Sequence, residues 1–327
     1  MRLAVLAAGG ALALAGSASA AYAPKFSVQQ GPGKTTVSVS AASTDDPSAS
    51  LVFFAPADAG TALTAAAGTT IGRVTGLAGV HGGLIAPLTG RVQARAAAAG
   101  TDCTGSTAHA AYWALSFTGS DLPVFVDRIP ATVPYGPLVS YSVTVCLPAT
   151  ARIFELALTL DNVFSAPTVG DNLWRLLATP YGEDQTATAV EAQSFVETAS
   201  ISLPTPTRTL TAAAATFGAA GTVQIAGLSD TTPSIALARG AAATRLAAFA
   251  HPTARANGRY EQRFAVRRLP RRAQTLFLQA TATASPRDLV ETACKPTFGD
   301  DIPCIGATAG GFAATSPLRK VVVPMRP

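Results

Sequence analysis

From Leu138 to Cys146 the chain alternates without a break. Val139, Tyr141, Val143 and Val145 point one way; Ser140, Ser142, Thr144 and Cys146 point the other. This is the signature of a β-strand with two distinct faces. Phe154, Leu156, Leu158 and Leu160 repeat the pattern one segment later. Similar short runs recur along the chain: Thr35–Ser40, Leu51–Phe54, Thr69–Thr75, Leu88–Ala96, Ala111–Phe117, Val124–Ile129, Leu173–Thr179 and Val190–Val196. Gly, Pro, Ser and Thr interrupt each run before it reaches the length of a stable helix. Helix formers in capped blocks are missing, so the chain is expected to be all-β. About nine to eleven such strands in the first half suggest a β-sandwich.

The second half continues in the same manner. Thr207–Ala213, Val223–Leu228, Ile235–Arg239, Leu246–Ala250, Tyr260–Val266, Thr275–Thr283 and Arg319–Val323 read as strands, and Asn257-Gly258 reads as a hairpin turn. Pro204-Thr205-Pro206 is the natural linker, because proline favours extended, unpaired backbone. The expected organisation is a leader over 1–20, a β-sandwich domain over 21–203, a linker over 204–206 and a second β-sandwich over 207–327. The segment Ala256-Asn257-Gly258-Arg259-Tyr260, with Phe264 and Val266 after it, resembles a hairpin of bacterial secreted immunoglobulin-like and transthyretin-like modules. The resemblance covers about a dozen residues. It implies an immunoglobulin-like second domain acting as a non-catalytic surface module, and it assigns no role to any single residue. Cys103, Trp113 and Cys146 also follow the immunoglobulin order. Cys103, however, lies in a Gly/Thr loop, and Trp113 is read as a core residue.

The compartment is suggested by the N-terminus. Met1-Arg2 precedes an apolar run from Leu3 to Ala15, and Ala18-Ser19-Ala20 offers a cleavage site. That run is too short to span a bilayer, and no later stretch is apolar enough to do so. The expectation is an exported bacterial protein, secreted or held at the cell surface. An oxidising compartment suits the four cysteines, for which the pairs Cys103–Cys146 and Cys294–Cys304 put one bridge in each half; two other connectivities are possible.

Charge divides the chain. Residues 21–203 carry 8 Lys+Arg against 13 Asp+Glu, and residues 204–327 carry 15 against 6. The basic half gathers Arg255, Arg259, Arg263, Arg267, Arg268, Arg271 and Arg272. On a strand, Arg259, Arg263 and Arg267 share the solvent face while Tyr260, Phe264 and Val266 face the core. Guanidinium forks match phosphate, sulfate and carboxylate, so this set is a candidate anion-binding surface for a wall polymer or acidic polysaccharide. Another surface protein is an alternative partner, as is docking on the acidic first half. The simpler reading is a soluble sheet edge guarded by charge. Nucleic acid is not expected, because Tyr260 and Phe264 are committed inward.

Catalytic and metal signals are weak. Asp102, Ser106 and His109 lie close together, but beside a cysteine in one loop, and GxSxG, HExxH, Walker and dinucleotide motifs are missing. His81 and His251 read as loop residues. The acidic pairs Asp45-Asp46, Glu183-Asp184 and Asp300-Asp301 follow no calcium-loop spacing. No catalytic residue, cofactor or metal is expected. The leading expectation is a non-enzymatic structural or binding module, with polyanion binding and an extracellular hydrolase as alternatives.

Overall fold

The computed structural model describes residues 22–325 except 58, 60, 62, 80–83, 99–101, 134, 149, 151, 166–171, 182–188, 212–213, 229–230, 268, 291–293 and 296–301. The leader, His81, Glu183, Asp184, Arg268, Asp300 and Asp301 lie outside the described residues. Within them the chain is all-β, with one short 3-10 turn at Gly136–Leu138.

Eleven strands build the first unit: β1 (Lys25–Gly31), β2 (Lys34–Ser40), β3 (Ser48–Pro56), β4 (Thr70–Gly79), β5 (Ile85–Arg95), β6 (Ala111–Phe117), β7 (Ser120–Arg128), β8 (Val139–Cys146), β9 (Arg152–Asp161), β10 (Leu173–Pro180) and β11 (Val190–Phe195). They form one sheet in the order β1-β2-β9-β4-β5-β6-β7-β8-β3-β10-β11. The faces of the expected sandwich are thus joined in one continuous, curled sheet rather than hydrogen-bonded as two separate ones. The physical reason is strand twist, which curls a sheet of this size until its own faces meet. The alternation seen in the sequence supplies the lining: Phe26, Val37, Phe53, Trp113, Val143, Leu158 and Trp174 are buried in one core. β1 comes round to lie against β11 without a backbone ladder between them. Hydroxyls close the seam instead, with the Val28 amide donating to Ser194 Oγ at 2.9 Å.

The second unit begins before the expected linker. Its strands are β12 (Thr198–Ile201), β13 (Thr207–Leu210), β14 (Ala214–Ala226), β15 (Ser234–Ala242), β16 (Arg245–Ala250), β17 (Arg259–Arg267) and β18 (Gln274–Ala284), followed by β19 (Arg287–Leu289), β20 (Cys304–Ala309), β21 (Phe312–Thr315) and β22 (Arg319–Val323). In one sheet β14 is central, with β17 on one side and β12 and β13 end to end on the other. Pro204-Thr205-Pro206 therefore interrupts an edge line rather than separating two bodies, a place where missing amide donors cost nothing. The other sheet runs β16-β15-β18, and β21 and β22 share the far side of β18. Ala215, Phe217, Ile235, Leu237, Phe264, Leu278 and Val321 from both sheets fill one core. The Asn257-Gly258 turn is present, with Gly258 at φ 74°. It does not join paired strands, because β16 and β17 belong to facing sheets.

Between β18 and β22 the chain crosses back to the first unit. There β20 runs parallel to β11, and β19 pairs with β20, so the first sheet reaches thirteen strands. Thr308 Oγ1 donates to the Phe26 carbonyl at 2.6 Å, locking β20 to β1. Gly310 permits this approach, since a Cβ there would stand 1.6 Å from the Val28 carbonyl oxygen. Buried polar side chains fasten the same junction. Arg175 and Glu191 pair at 2.5 Å. The Gln193 amide donates to the Lys295 carbonyl at 2.9 Å and accepts from the Lys295 amide at 2.8 Å. Glu197, fully buried, accepts from the Thr231 hydroxyl and pairs with Arg287 at 3.3 Å. Cys103–Cys146 and Cys294–Cys304 are both bonded; the first ties the loop before β6 to the end of β8, and the second ties the segment before β20 to that strand's first residue.

Candidate functional site

The arginine face forms as its alternation requires. Tyr260 and Phe264 are buried, whereas Arg259, Arg263 and Arg267 are exposed on the opposite face of β17. Phe264 stacks on Phe217 at 5.3 Å, and the Tyr260 hydroxyl donates to the Ser202 carbonyl at 2.6 Å. Burial pushes the Tyr260 phenol up to about 12, so it remains a donor throughout the physiological range. Gly221 allows this contact: a Cβ there would be 2.6 Å from the phenol oxygen. The strand that carries the arginines is therefore held firmly from beneath.

Among the described residues β17 pairs with β14 alone. Its arginines sit opposite Thr222, Gly218 and Ala214, residues too small to screen them. At roughly 3.3 Å per residue, successive arginines lie about 13 Å apart along the row. Glu261 occupies the same face and meets Arg263 at 3.5 Å, an exposed contact that contributes little. Arg255, Arg271 and Arg272 are also exposed, whereas Arg268 is outside the described residues. Arg239, which the sequence reading passed over, lies 4.9 Å above the Phe249 ring and 5.6 Å above Phe264. Its charge thus sits at the rim of this core.

Asp102, Ser106 and His109 are brought near each other, but not as a nucleophilic triad. His109 Nε2 meets Asp102 Oδ2 at 2.9 Å, and Nδ1 meets Asp127 Oδ1 at 2.9 Å. Both ring nitrogens are engaged, and Ser106 Oγ donates to the Ala108 carbonyl instead. A general base needs a free ring nitrogen facing the nucleophile. Burial against Phe125 and Tyr112 disfavours the charged imidazole, but the two carboxylate hydrogen bonds outweigh it, and the pKa is raised. Burial likewise opposes the Asp102 carboxylate; Thr104 and His109 outweigh it and lower its pKa. The arrangement is a charged clamp beside the Cys103–Cys146 bridge. Asp127 was invisible in the sequence because the β6–β7 hairpin, not proximity along the chain, places it there.

Asp45 is buried and accepts from the Ala42 amide at 3.1 Å, so it organises a turn. His251 is exposed at the end of β16. Among the described residues, no three His, Cys, Asp or Glu side chains gather as a metal site. Nor is any helix there long and apolar enough to cross a membrane. A cleft of about 550 Å³ opens where β1, β2 and the end of β9 meet the second unit; Gln30, Thr35, Thr61 and Phe164 line one wall, Thr198 and Ala313 the other. Nothing in the local sequence marks these residues. No family model and no curated protein sequence matches this chain.

Proposed function

We propose that this protein is a non-enzymatic, extracytoplasmic binding module whose basic second unit engages a polyanionic envelope polymer. The observation that carries the reading is the row of Arg259, Arg263 and Arg267 on the open face of an edge strand, anchored below by Tyr260 and Phe264. The anchored strand fixes the spacing of the three arginines, and guanidinium forks match sulfate, phosphate and carboxylate. Two disulfides suit an oxidising compartment. The second unit's arrangement, with β14 and β17 facing β16-β15-β18-β22, supports an immunoglobulin-like reading of this domain.

The test is retention of residues 21–327 on immobilised dextran sulfate and polygalacturonate, with uncharged agarose as control. Wild type should elute at a salt concentration that Arg259→Ser, Arg263→Ser and Arg267→Ser together lower by at least about twofold. Equal elution of wild type and triple variant would reduce the row to a charge-guarded edge and end the proposal.

A further inference from the structure

We propose that the arginine row is one bank of a track along β14 that holds a linear acidic polysaccharide whose carboxylates are separated by neutral sugars. The inference rests on the polyanion reading above and names the polymer. Residues opposite one another in an antiparallel ladder share a face, so the registers of β12, β13, β14 and β17 fix what the outer face of this sheet carries. Arg263 stands opposite Gly218, and Gly218 opposite Thr207. Arg259 stands opposite Thr222, whose hydroxyl meets Ser202 Oγ at 2.9 Å. Thr209 follows Thr207 on the same face, opposite Thr216. Ser202, Thr207 and Thr209 are exposed, as are the three arginines. Guanidinium groups thus line one side of the face and hydroxyls the other, two strand spacings or about 10 Å apart.

The floor between the two banks is low. Opposite the arginine strand, the outward residues of β14 are Ala214, Thr216, Gly218, Ala220 and Thr222, none larger than threonine. A Cβ at Gly218 would stand 2.7 Å from Thr207 Oγ1, so glycine keeps the floor open beside that hydroxyl. A polymer lying here turns its anionic groups toward β17 and its uncharged hydroxyls toward β12 and β13, where serine and threonine donate and accept at once. An acidic polysaccharide carries both kinds of group, whereas a polyphosphate has nothing for the hydroxyl bank. The order of charges along β17 selects the spacing. Glu261 fills the gap between Arg259 and Arg263, and Ala265 the gap between Arg263 and Arg267. A polymer charged at every unit would bring an anion against Glu261, a like-charge contact that lowers affinity. One with neutral sugars between its carboxylates spans both gaps without that contact.

The test is a titration of residues 21–327 into fluorescein-labelled hyaluronate, in which uronate and N-acetylglucosamine alternate, read by anisotropy at low salt. Inorganic polyphosphate and polyglutamate serve as competitors at equal total charge. Hyaluronate should bind saturably, and both competitors should displace it at least about threefold less well than unlabelled hyaluronate does. Thr207→Val with Thr209→Val should weaken hyaluronate binding at least about threefold and leave polyphosphate binding unchanged, because only the sugar uses the hydroxyl bank. Ala220→Ile, which raises the exposed floor without adding charge, should do the same. Glu261→Gln should strengthen polyphosphate binding more than hyaluronate binding. All these side chains are exposed, so melting temperatures should match wild type and a folding defect would show itself separately. Polyphosphate or polyglutamate competing as well as hyaluronate would overturn the proposal, as would equal loss of both polymers in the threonine pair. The triple arginine variant tells the two readings apart. If it loses affinity for every polymer while the threonine and floor variants change nothing, the track fails and the polyanion reading stands; if it binds like wild type, both fail.

Discussion

The coiled first unit and the two-sheet second unit solve the same problem, burying one face of every strand, in different ways. The first encloses large side chains, including Trp113, Trp174, Phe26 and Phe53, and spends its buried polar groups at its seam and open end. The second fills a smaller core in which Ala215, Ala219, Ala280 and Ala282 sit between Phe217, Phe264 and Phe312. It keeps its charge outside, on an exposed edge. Recessed neutral groups against an open cationic row is therefore the main chemical contrast within the molecule. The excursion through β19 and β20 joins the two units, with Glu197, Gln193 and Thr308 as its fastenings.

The severest challenge to this picture is a matched pair of core truncations. Phe53→Ala in the coil and Phe217→Ala in the two-sheet unit should each cost about 3–5 kcal/mol, read by denaturant melts. Because the excursion welds the units, both should lower one common transition. Two separated transitions would mean that the units are energetically independent. Next come the disulfides. Replacing Cys103 and Cys146 by Ser opens a loop of 43 residues and should cost about 4 kcal/mol in the chain-entropy model, against about 3 kcal/mol for the 10-residue loop of Cys294 and Cys304. A larger loss from the second pair would place more of the stability in the excursion than its loop length allows.

The histidine clamp should add a pH dependence to the first unit. The folded pKa of His109 is raised, so its stabilisation is fully present below the unfolded value near 6.5 and disappears as pH rises through the folded value. His109→Asn should therefore destabilise by about 1–3 kcal/mol near pH 5.5, a gap that narrows by pH 9. A gap independent of pH would show that packing against Phe125, not charge, does the holding. Asp102 acts in the opposite sense, contributing above its unfolded value and losing that contribution as pH falls through its lowered one. The smallest effect belongs to the arginine row. Arg259→Ser, Arg263→Ser and Arg267→Ser should each change stability by less than about 0.5 kcal/mol. A larger loss would reveal a structural role for a face assigned here to binding.

What the chain determined locally is plain in its alternation. The inward residues of β8, Leu156, Leu158 and Leu160 of β9, the burial of Tyr260 and Phe264 and the exposure of Arg259, Arg263 and Arg267 all follow from a period of two residues; Phe154 does not, because a bulge opposite Leu77 and Ala78 shifts the register and buries Ile153 in its place. The two disulfide pairs likewise fit a reading that put one bridge in each half. Tertiary structure alone decided which strands pair. Sheet order depends on contacts between distant segments: Val28 reaches Ser194 across 166 positions, and Thr308 reaches Phe26 across 282. Such pairings leave no periodic trace, because any strand with the right inward face can satisfy its neighbour's backbone. For that reason β20 read as part of the second half yet lies in the first sheet, and Pro204-Thr205-Pro206 read as a linker yet breaks an edge. The cleft was hidden for the same reason. Gln30, Thr35 and Thr61 are ordinary polar residues until folding buries them together without partners.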